Sequence, residues 1–215
     1  MHWVYYFGRV IIRILLITFG RWKVFGRENV PKPGPFLVIC NHLHLADPPV
    51  VATFLPLKCV FMAKEELFRH WWSRFWVKNF GAFPVRRDTV DREALKRAEN
   101  WLKQGVSVIM FPEGGRSPEA KLIEAMPGAA VLAARMGVPV LPVAITGTER
   151  LRNLGWSLFH HPLVTVTYGK PFQPSVNNGR LTKEERKALI NDMMKEIAAL
   201  LPPEYRGVYG NHAGS

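Results

Sequence analysis

The stretch "FLVICNHLHLADPPV" (residues 36–50) changes character in its middle. It opens with an uninterrupted apolar run, 36–40, and continues with Asn41, two histidines and an acid. Continuous apolar runs of this length are typical of strands buried on both faces of a sheet. In open parallel sheets, functional side chains lie just beyond the carboxyl ends of the strands. The stretch therefore predicts a buried strand that delivers His42 and Asp47 to the edge of a sheet.

Four further apolar runs alternate with helical patterns along the chain. The additional predicted strands cover residues 58–63, 106–111, 140–147 and 163–168. The predicted helices cover residues 89–105, 128–137 and 181–203. The last helix begins with a Thr182/Glu185 capping box and stops at Pro202. This alternation predicts an α/β fold, with a single domain built on a mostly parallel central sheet flanked by helices.

The composition fits one well-packed domain. The chain has 215 residues, of which 48% are hydrophobic and 21% are charged, so a sizeable core is expected. Its two cysteines, Cys40 and Cys59, both lie in apolar runs. We expect them to be buried free thiols in a reducing compartment, and a disulfide framework is not indicated.

The charge balance points to a polyanionic partner. Lys and Arg number 29 against 17 acids, which gives a net charge of +12. A chain this basic is expected to meet nucleic acid, an anionic membrane surface or phosphorylated substrates. The sequence lacks zinc-finger spacing, a Gly-rich aromatic RNA-binding signature and any long Lys/Arg run, so no nucleic-acid partner is expected.

The basic residues are interleaved with aromatic ones, most densely in residues 67–83, "LFRHWWSRFWVKNFGAF". Tryptophan beside Arg and Lys is favoured at a membrane interface, because the indole is amphipathic and the cations pair with anionic headgroups. An aromatic core helix with a solvated basic face would show the same pattern. This segment alone leaves both interpretations open.

The N-terminal segment favours the membrane interpretation. Residues 1–29 are apolar and aromatic, but Arg9 and Arg13 interrupt them. A spanning helix needs about 20 predominantly apolar residues in succession, and no small-residue site marks a cleavable signal. We therefore expect an amphipathic, membrane-associating helix in which Arg9, Arg13, Arg21 and Lys23 reach headgroups. Two such segments predict a peripheral membrane protein that binds a phospholipid surface.

The predicted organisation has three parts. Residues 1–30 form the membrane-associating helical segment, and the rigid turn "PKPGP" opens the globular domain, 31–205. Residues 206–215 are expected to be a flexible tail.

Three stretches, 41–47, 81–88 and 111–119, are expected to converge at the carboxyl edge of the sheet. The first supplies His42 and Asp47, which can form a proton-transfer pair: the carboxylate holds one ring nitrogen, and the other takes a proton from a hydroxyl. No serine or cysteine stands in an evident nucleophile elbow. Direct attack by a substrate hydroxyl is therefore favoured over a covalent intermediate.

The other two stretches predict a phosphate seat. The third contains Glu113, Gly114, Arg116 and Ser117, which combine a flexible turn, a fork-shaped cation and a hydroxyl. A helix starting at Pro118 would direct its dipole at the anion. The second stretch adds two more cations, Arg86 and Arg87. Taken singly, each motif is equally compatible with a plain turn or a solvated surface run.

Two other functions remain open. His42, His44 and Asp47 resemble the start of a metallo-hydrolase motif, but the acid comes one residue late. Only His70, His160 and His161 could complete the set of ligands, so a metal site is not favoured. The second alternative is a non-catalytic membrane-binding module, which would have no use for an aligned His/Asp pair.

Four blocks together resemble the glycerolipid acyltransferases, which act on glycerol phosphate and lysophosphatidate. In family order they are "NHLHLAD", "GAFPVRR", "FPEGGRS" and "VPVLPVAITGT", and the likeness extends over about residues 25 to 172. The resemblance implies that His42 is a general base and Asp47 its partner. It also implies that Arg87, Glu113, Gly114 and Arg116 help to bind the acceptor phosphate, with Arg86 and Ser117 beside them. Residues 31–205 would then be the acyltransferase domain.

The implied reaction moves a fatty acyl group from acyl-CoA or acyl carrier protein to 1-acylglycerol-3-phosphate, giving phosphatidate for phospholipid biosynthesis. It implies no metal or redox cofactor and a location at the cytoplasmic face of a membrane. Glycerol-3-phosphate, another lysophospholipid or a glycolipid remain alternative acceptors. The chain departs from the family pattern at His44, Gly115 and Arg86, where serine, threonine and aspartate are common. We expect His44 to be a supporting polar or packing residue.

Overall fold

The computed structural model of the protein describes residues 2–32, 34–86, 91–174 and 181–212. Seven strands lie in this part of the chain: β1 (Arg21–Phe25), β2 (Leu37–Cys40), β3 (Cys59–Lys64), β4 (Ala82–Val85), β5 (Ser107–Met110), β6 (Val140–Thr146) and β7 (Leu163–Tyr168). Seven α-helices accompany them: α1 (His2–Phe19), α2 (Asp47–Phe54), α3 (Trp71–Asn79), α4 (Arg92–Lys103), α5 (Gly128–Met136), α6 (Leu154–His160) and α7 (Lys183–Leu200). Short 3-10 helices cover Arg27–Asn29, Glu65–Phe68, Thr148–Arg152, Pro203–Tyr205 and Gly207–His212.

The strands form one sheet in the order β1-β7-β6-β2-β5-β3-β4. Strands β2 to β6 run parallel to one another, whereas β7 is antiparallel to β6 and parallel to β1. The predicted α/β fold with a mostly parallel sheet is therefore confirmed. Because β2 lies between β5 and β6, the residues that follow it emerge at the middle of the carboxyl edge.

Both faces of the sheet are covered, as the continuous apolar runs predicted. Leu37 and Ile39 of β2 face a core cluster with α4, α5 and α7, whereas Val38 and Cys40 face a second cluster with α1 and α2. Successive side chains of a strand point to opposite faces. Two layers of helices therefore require every residue of β2 to be apolar.

Asn41 extends the pairing of β2 with β6 beyond the last strand residue. Its side-chain Nδ2 donates to the backbone oxygen of Ile145, and the Ile145 N–H donates to Asn41 Oδ1, both at 2.8 Å. Asn41 is buried, so these bonds satisfy backbone groups that water cannot reach. The residue before His42 is thereby fixed to the neighbouring strand.

The five predicted strands are all present, each within one residue of its predicted ends. The two edge strands, β1 and β4, were not predicted. In β1, exposed residues alternate with half-buried ones, and β4 is short and contains Pro84. Edge strands lack a second neighbour and tolerate charge and proline, so their sequences carry a weaker strand pattern.

The predicted boundaries at both ends of the chain need correction. The N-terminal helix ends at Phe19, and Arg21 and Lys23 belong to β1 rather than to a continuous helical segment up to residue 30. At the other end, Gly207–His212 form a 3-10 helix, and Tyr209 is buried in the main core. The expected flexible tail is therefore wrong for residues 207–212. Residues 213–215 lie outside the described part.

The surface of α3 shows that its aromatic residues do not belong to the core. None of its residues is buried, and Trp71 is 84% exposed. The core-helix interpretation of residues 67–83 is therefore wrong for α3.

Helix α1 packs one side against the domain: Tyr5 and Leu16 are buried, whereas Trp3 is 72% exposed. Among residues 2–32, 34–86, 91–174 and 181–212, no helix has the length and apolarity needed to cross a membrane.

Candidate active site

The centre of the site is a buried pair formed by His42 and Asp47. His42 Nδ1 lies 2.8 Å from Asp47 Oδ2, and both side chains are almost fully buried. A carboxylate accepts hydrogen bonds, so the contact assigns the ring proton to Nδ1 and leaves Nε2 as the unprotonated nitrogen. The five-residue spacing of His42 and Asp47 therefore gives the imidazole the predicted orientation, with Nδ1 bonded to the carboxylate and Nε2 free.

The loop between the two residues fixes the carboxylate. Asp47 Oδ2 also accepts the backbone N–H groups of Leu43 and His44, both at 2.6 Å. Asp47 is the first residue of α2 and is followed by two prolines, which are well suited to the first turn of a helix. The acid is therefore held by the start of a rigid helix as well as by the turn that it closes.

The backbone of His42 is held on both sides by the loop that follows β5. Its N–H donates to Glu113 Oε1 at 2.8 Å, and its carbonyl oxygen accepts from the Ser117 N–H at 2.8 Å. Glu113 and Ser117 are themselves buried. The two loops, which are distant in sequence, therefore behave as one unit around the imidazole.

Glu113 contacts protein groups on both of its carboxylate oxygens. Oε2 accepts the Ile123 N–H at 3.3 Å, in addition to the His42 bond at Oε1. Burial raises the pKa of this carboxyl to about 7, against the opposing effect of its two backbone donors, and the Asp47 carboxylate adds to the rise. The Ser117 hydroxyl likewise accepts the Lys121 N–H at 3.1 Å. These contacts support a positioning role, whereas phosphate binding by Glu113 and Ser117 stays a prediction.

The predicted phosphate-binding cations are placed differently from one another. Arg116 is exposed near His42, and Arg86 forms an exposed ion pair with Glu65 at 3.0 Å. Arg87 lies outside the described residues.

The remaining predicted phosphate-binding residue, Gly114, has φ 70°, and a Cβ on it would lie 2.8 Å from the Met126 sulfur, so a glycine is required there.

A large apolar cavity opens beside His42. Its volume is about 460 Å³. The lining includes His42 and, from several separate elements, Met62, Leu95, Met110, Phe111, Met126 and Val131. The Phe111 ring also packs on the imidazole, with 4.4 Å between ring centroids. Three charged residues, Arg86, Asp91 and Arg186, also line the cavity, so the predicted site residue Arg86 borders the same space as His42. A mostly apolar cavity with a few polar groups is the usual form of a ligand site.

Some features of the site were not predicted, and one prediction is wrong. Pro118 does not start a helix: residues 117–127 form turns and irregular chain, and α5 begins only at Gly128. No helix dipole therefore points from Pro118 towards an anion. The cavity was not predicted either, because its walls come from several strands and helices with no common sequence signal. In the described ranges, 2–32, 34–86, 91–174 and 181–212, no three His, Cys, Asp or Glu side chains are arranged as a metal site.

Comparison with known proteins shows the family to which the chain belongs. Residues 21–146 match the family model described as "Acyltransferase". This range is more than half of the chain and contains the His42–Asp47 pair and both loops around it. The chain belongs to this acyltransferase family.

Relatives of known name are consistent with that assignment. The acyltransferase is 29% identical over 195 residues to the 1-acyl-sn-glycerol-3-phosphate acyltransferase of Bacillus subtilis, covering 90% of this chain and 94% of the relative. It is 29% identical over 178 residues to the Streptococcus pneumoniae enzyme of the same name, covering 81% of this chain and 64% of the relative. The crystal structure of a 1-acyl-sn-glycerophosphate acyltransferase from Thermotoga maritima superposes with a TM-score of 0.65 and 30% identity, covering 87% of this chain and 75% of that one.

The raised pKa of Glu113 predicts a specific dependence of stability on pH. The folded protein holds this proton more tightly than the unfolded chain, so the contribution to stability is complete below the unfolded pKa and is lost as pH rises through about 7. A shift from the ordinary value of 4.5 to about 7 corresponds to a loss of about 3 kcal/mol. Denaturant unfolding of wild type and Glu113→Gln, measured from acid to mildly alkaline pH, should show this loss in wild type only.

Glu124→Gln is the control, because Glu124 is an exposed carboxylate near the same loop. It should follow wild type at every pH. A difference between wild type and Glu113→Gln that stays constant with pH would contradict the raised pKa.

Proposed function

We propose that this acyltransferase moves a fatty acyl group from an acyl thioester to the free hydroxyl of 1-acylglycerol-3-phosphate, giving phosphatidate. The observation that carries the proposal is the buried His42–Asp47 pair at the side of an apolar cavity. The names of the relatives support this acceptor. Glycerol-3-phosphate, another lysophospholipid or a glycolipid would use the same chemistry and are the alternatives.

In the proposed mechanism, His42 acts as the general base. Its free Nε2 takes the proton of the acceptor hydroxyl as that oxygen attacks the thioester carbonyl. The new C–O bond forms, the C–S bond breaks, and the leaving thiolate takes the proton from the imidazolium. Asp47 holds the tautomer and stabilises the imidazolium that forms between these steps.

The cavity is proposed to hold the acyl chain that is transferred. Most of its lining residues are apolar, and it includes the imidazole that must lie near the reacting carbonyl. Binding the chain there would place the thioester at His42, while the thiol-bearing part of the donor stays outside. That donor is acyl-CoA or acyl carrier protein. No further cofactor is proposed, because a thioester is already an activated acyl group.

We place the enzyme on a membrane surface, at the cytoplasmic face. Exposed aromatic residues are carried by α1, α3 and α6, including Trp3, Trp71 and Phe159. Helix α6 packs against α1, and the Phe80 ring at the end of α3 closely approaches Gly8 of α1. With a net charge of +12, these neighbouring helices suit an anionic lipid surface. The buried free thiols of Cys40 and Cys59 are compatible with a reducing compartment.

The role of His42 is tested by thiol release from acyl-CoA or acyl carrier protein on addition of lysophosphatidate. His42→Ala should lower kcat by at least about 1,000-fold, because it removes the base. Asp47→Asn should lower kcat strongly while KM changes little, because it disturbs the tautomer rather than substrate binding. The matched control is His70→Ala, which changes a histidine in an exposed turn. Equal activity of wild type and His42→Ala would overturn the mechanism.

The role of the cavity is tested by filling it. A Cβ added at Gly128 would lie 3.7 Å from Leu95 and 3.8 Å from Met110, so larger side chains at this position enter the cavity. Gly128→Leu should lower kcat/KM for long-chain donors about tenfold relative to short-chain donors. Gly210→Leu, at an exposed position on the C-terminal 3-10 helix, is the control. If only the acceptor-length profile changes, the cavity holds the acceptor chain instead.

The membrane surface is tested by sedimentation with anionic vesicles. Trp71→Ser and Phe159→Ser each remove an exposed aromatic ring and should weaken binding about tenfold at low salt. Val208→Ser, an exposed apolar residue on the C-terminal 3-10 helix, should bind as wild type does. Wild-type protein that stays in the supernatant with every vesicle would refute the proposed location.

A further inference from the structure

The backbone of His42 is bonded to Glu113 and Ser117, and both of these residues are held by one irregular segment further along the chain. The Ile123 N–H donates to Glu113 Oε2 at 3.3 Å, and the Lys121 N–H donates to the Ser117 hydroxyl oxygen at 3.1 Å. Neither donor lies in a helix or a strand, so regular backbone hydrogen bonds do not fix the segment. The position of His42 therefore depends on what does fix it.

The middle residue of that segment, Leu122, is held by the chain that follows α7. The Leu122 N–H donates to the Tyr205 carbonyl oxygen at 2.8 Å, and the Leu122 carbonyl oxygen accepts the Val208 N–H at 3.2 Å. Leu122 is buried, so both of its backbone groups require partners within the protein. Residues 205–209, which we call the strap, supply both of them.

The strap is itself fixed at both ends. The Tyr205 hydroxyl donates to Glu149 Oε1 at 2.9 Å, on the 3-10 helix that follows β6. At the other end, Tyr209 is buried in the main core. Between these anchors, Gly207 has φ 48°, and a Cβ on it would overlap the Leu122 carbonyl oxygen. A glycine is therefore required where the strap comes closest to the segment.

We propose that the strap positions His42 for acyl transfer, because it holds the segment that braces both bonds to the His42 backbone. The five residues of the strap are all described, and none of them lines the cavity, so the strap acts through Glu113 and Ser117 rather than on a substrate. A general base must meet the reacting hydroxyl at a defined distance, and small displacements of it are costly. The strap lies beyond residues 21–146, the range that matches the family model.

This inference rests on the proposed function, because it assigns positioning residues to the base of that reaction. Gly207→Ala tests it, since the added Cβ would displace the strap from Leu122. In the thiol-release assay kcat should fall about 10- to 100-fold, whereas KM should change by less than about twofold, because no strap residue borders the cavity. Hydrogen exchange followed by mass spectrometry should accelerate in peptides containing His42 or Leu122 more than in peptides from β7.

Gly137→Ala is the matched control for backbone strain. Gly137 follows α5 with φ 58°, so alanine there is strained as it is at Gly207, but no atom of the described residues lies within 4 Å of the added Cβ. It should leave kcat within about twofold of wild type, because its cost falls on stability alone. Gly210→Ala, whose Cβ first meets Arg206 at 3.8 Å, controls for change in the same 3-10 helix. Equal kcat values for Gly207→Ala and Gly137→Ala would show that the strap only stabilises the fold and would overturn the proposal.

Two further measurements cover a variant that does not fold and a reaction that fails. If Gly207→Ala does not fold, Tyr205→Phe carries the test, because it removes the hydroxyl bond to Glu149 and keeps the ring. It should lower kcat about threefold or more with KM unchanged, and a wild-type kcat would refute the strap. If wild type shows no turnover, hydrogen exchange decides. Faster exchange at His42 in Gly207→Ala than in Gly137→Ala would support the hold of the strap on His42, and equal exchange would refute it.

Discussion

The hydrogen bond between His42 Nδ1 and Asp47 Oδ2 is the contact on which the site depends. It lies in a region closed to water, so the carboxylate requires several donors, and the backbone of Leu43 and His44 supplies them. The turn can therefore adopt this geometry only with an acid at position 47. One carboxylate thus orients the imidazole, closes the turn and occupies the first turn of α2.

The sheet holds this turn at a fixed place. Asn41 joins the end of β2 to β6 through Ile145, and Glu113 joins the His42 backbone to the loop after β5. The base is thereby tied to both strands that flank β2. Because each tie uses a buried polar group with a matched partner, breaking any of them would leave an unsatisfied group in the core. This rigidity suits a residue that must meet a carbonyl in a defined position.

The third block shows where a motif predicts the position of residues but not their contacts. Glu113, Gly114, Arg116 and Ser117 do lie beside His42, as the sequence predicted. However, Glu113 and Ser117 are buried and form hydrogen bonds with the backbone of His42. Of the four residues, only Arg116 is exposed. A sequence gives the types of side chain in a loop, whereas the direction of each depends on which buried groups need a partner. In the segment after Pro118, where a helix was predicted, the N–H groups of Lys121 and Ile123 donate to the Ser117 and Glu113 side chains instead.

The sequence by itself determined the buried strands, the α/β fold and the His42–Asp47 pair, because hydrophobic periodicity and a short spacing are local properties. It did not determine the edge strands, the apolar cavity or the ties between the two loops around His42. Those features depend on contacts between segments far apart in the chain, such as the bond between His42 and Glu113, which are 71 residues apart. Only packing of the helices on the sheet brings such segments together, and no local pattern records which of them will meet.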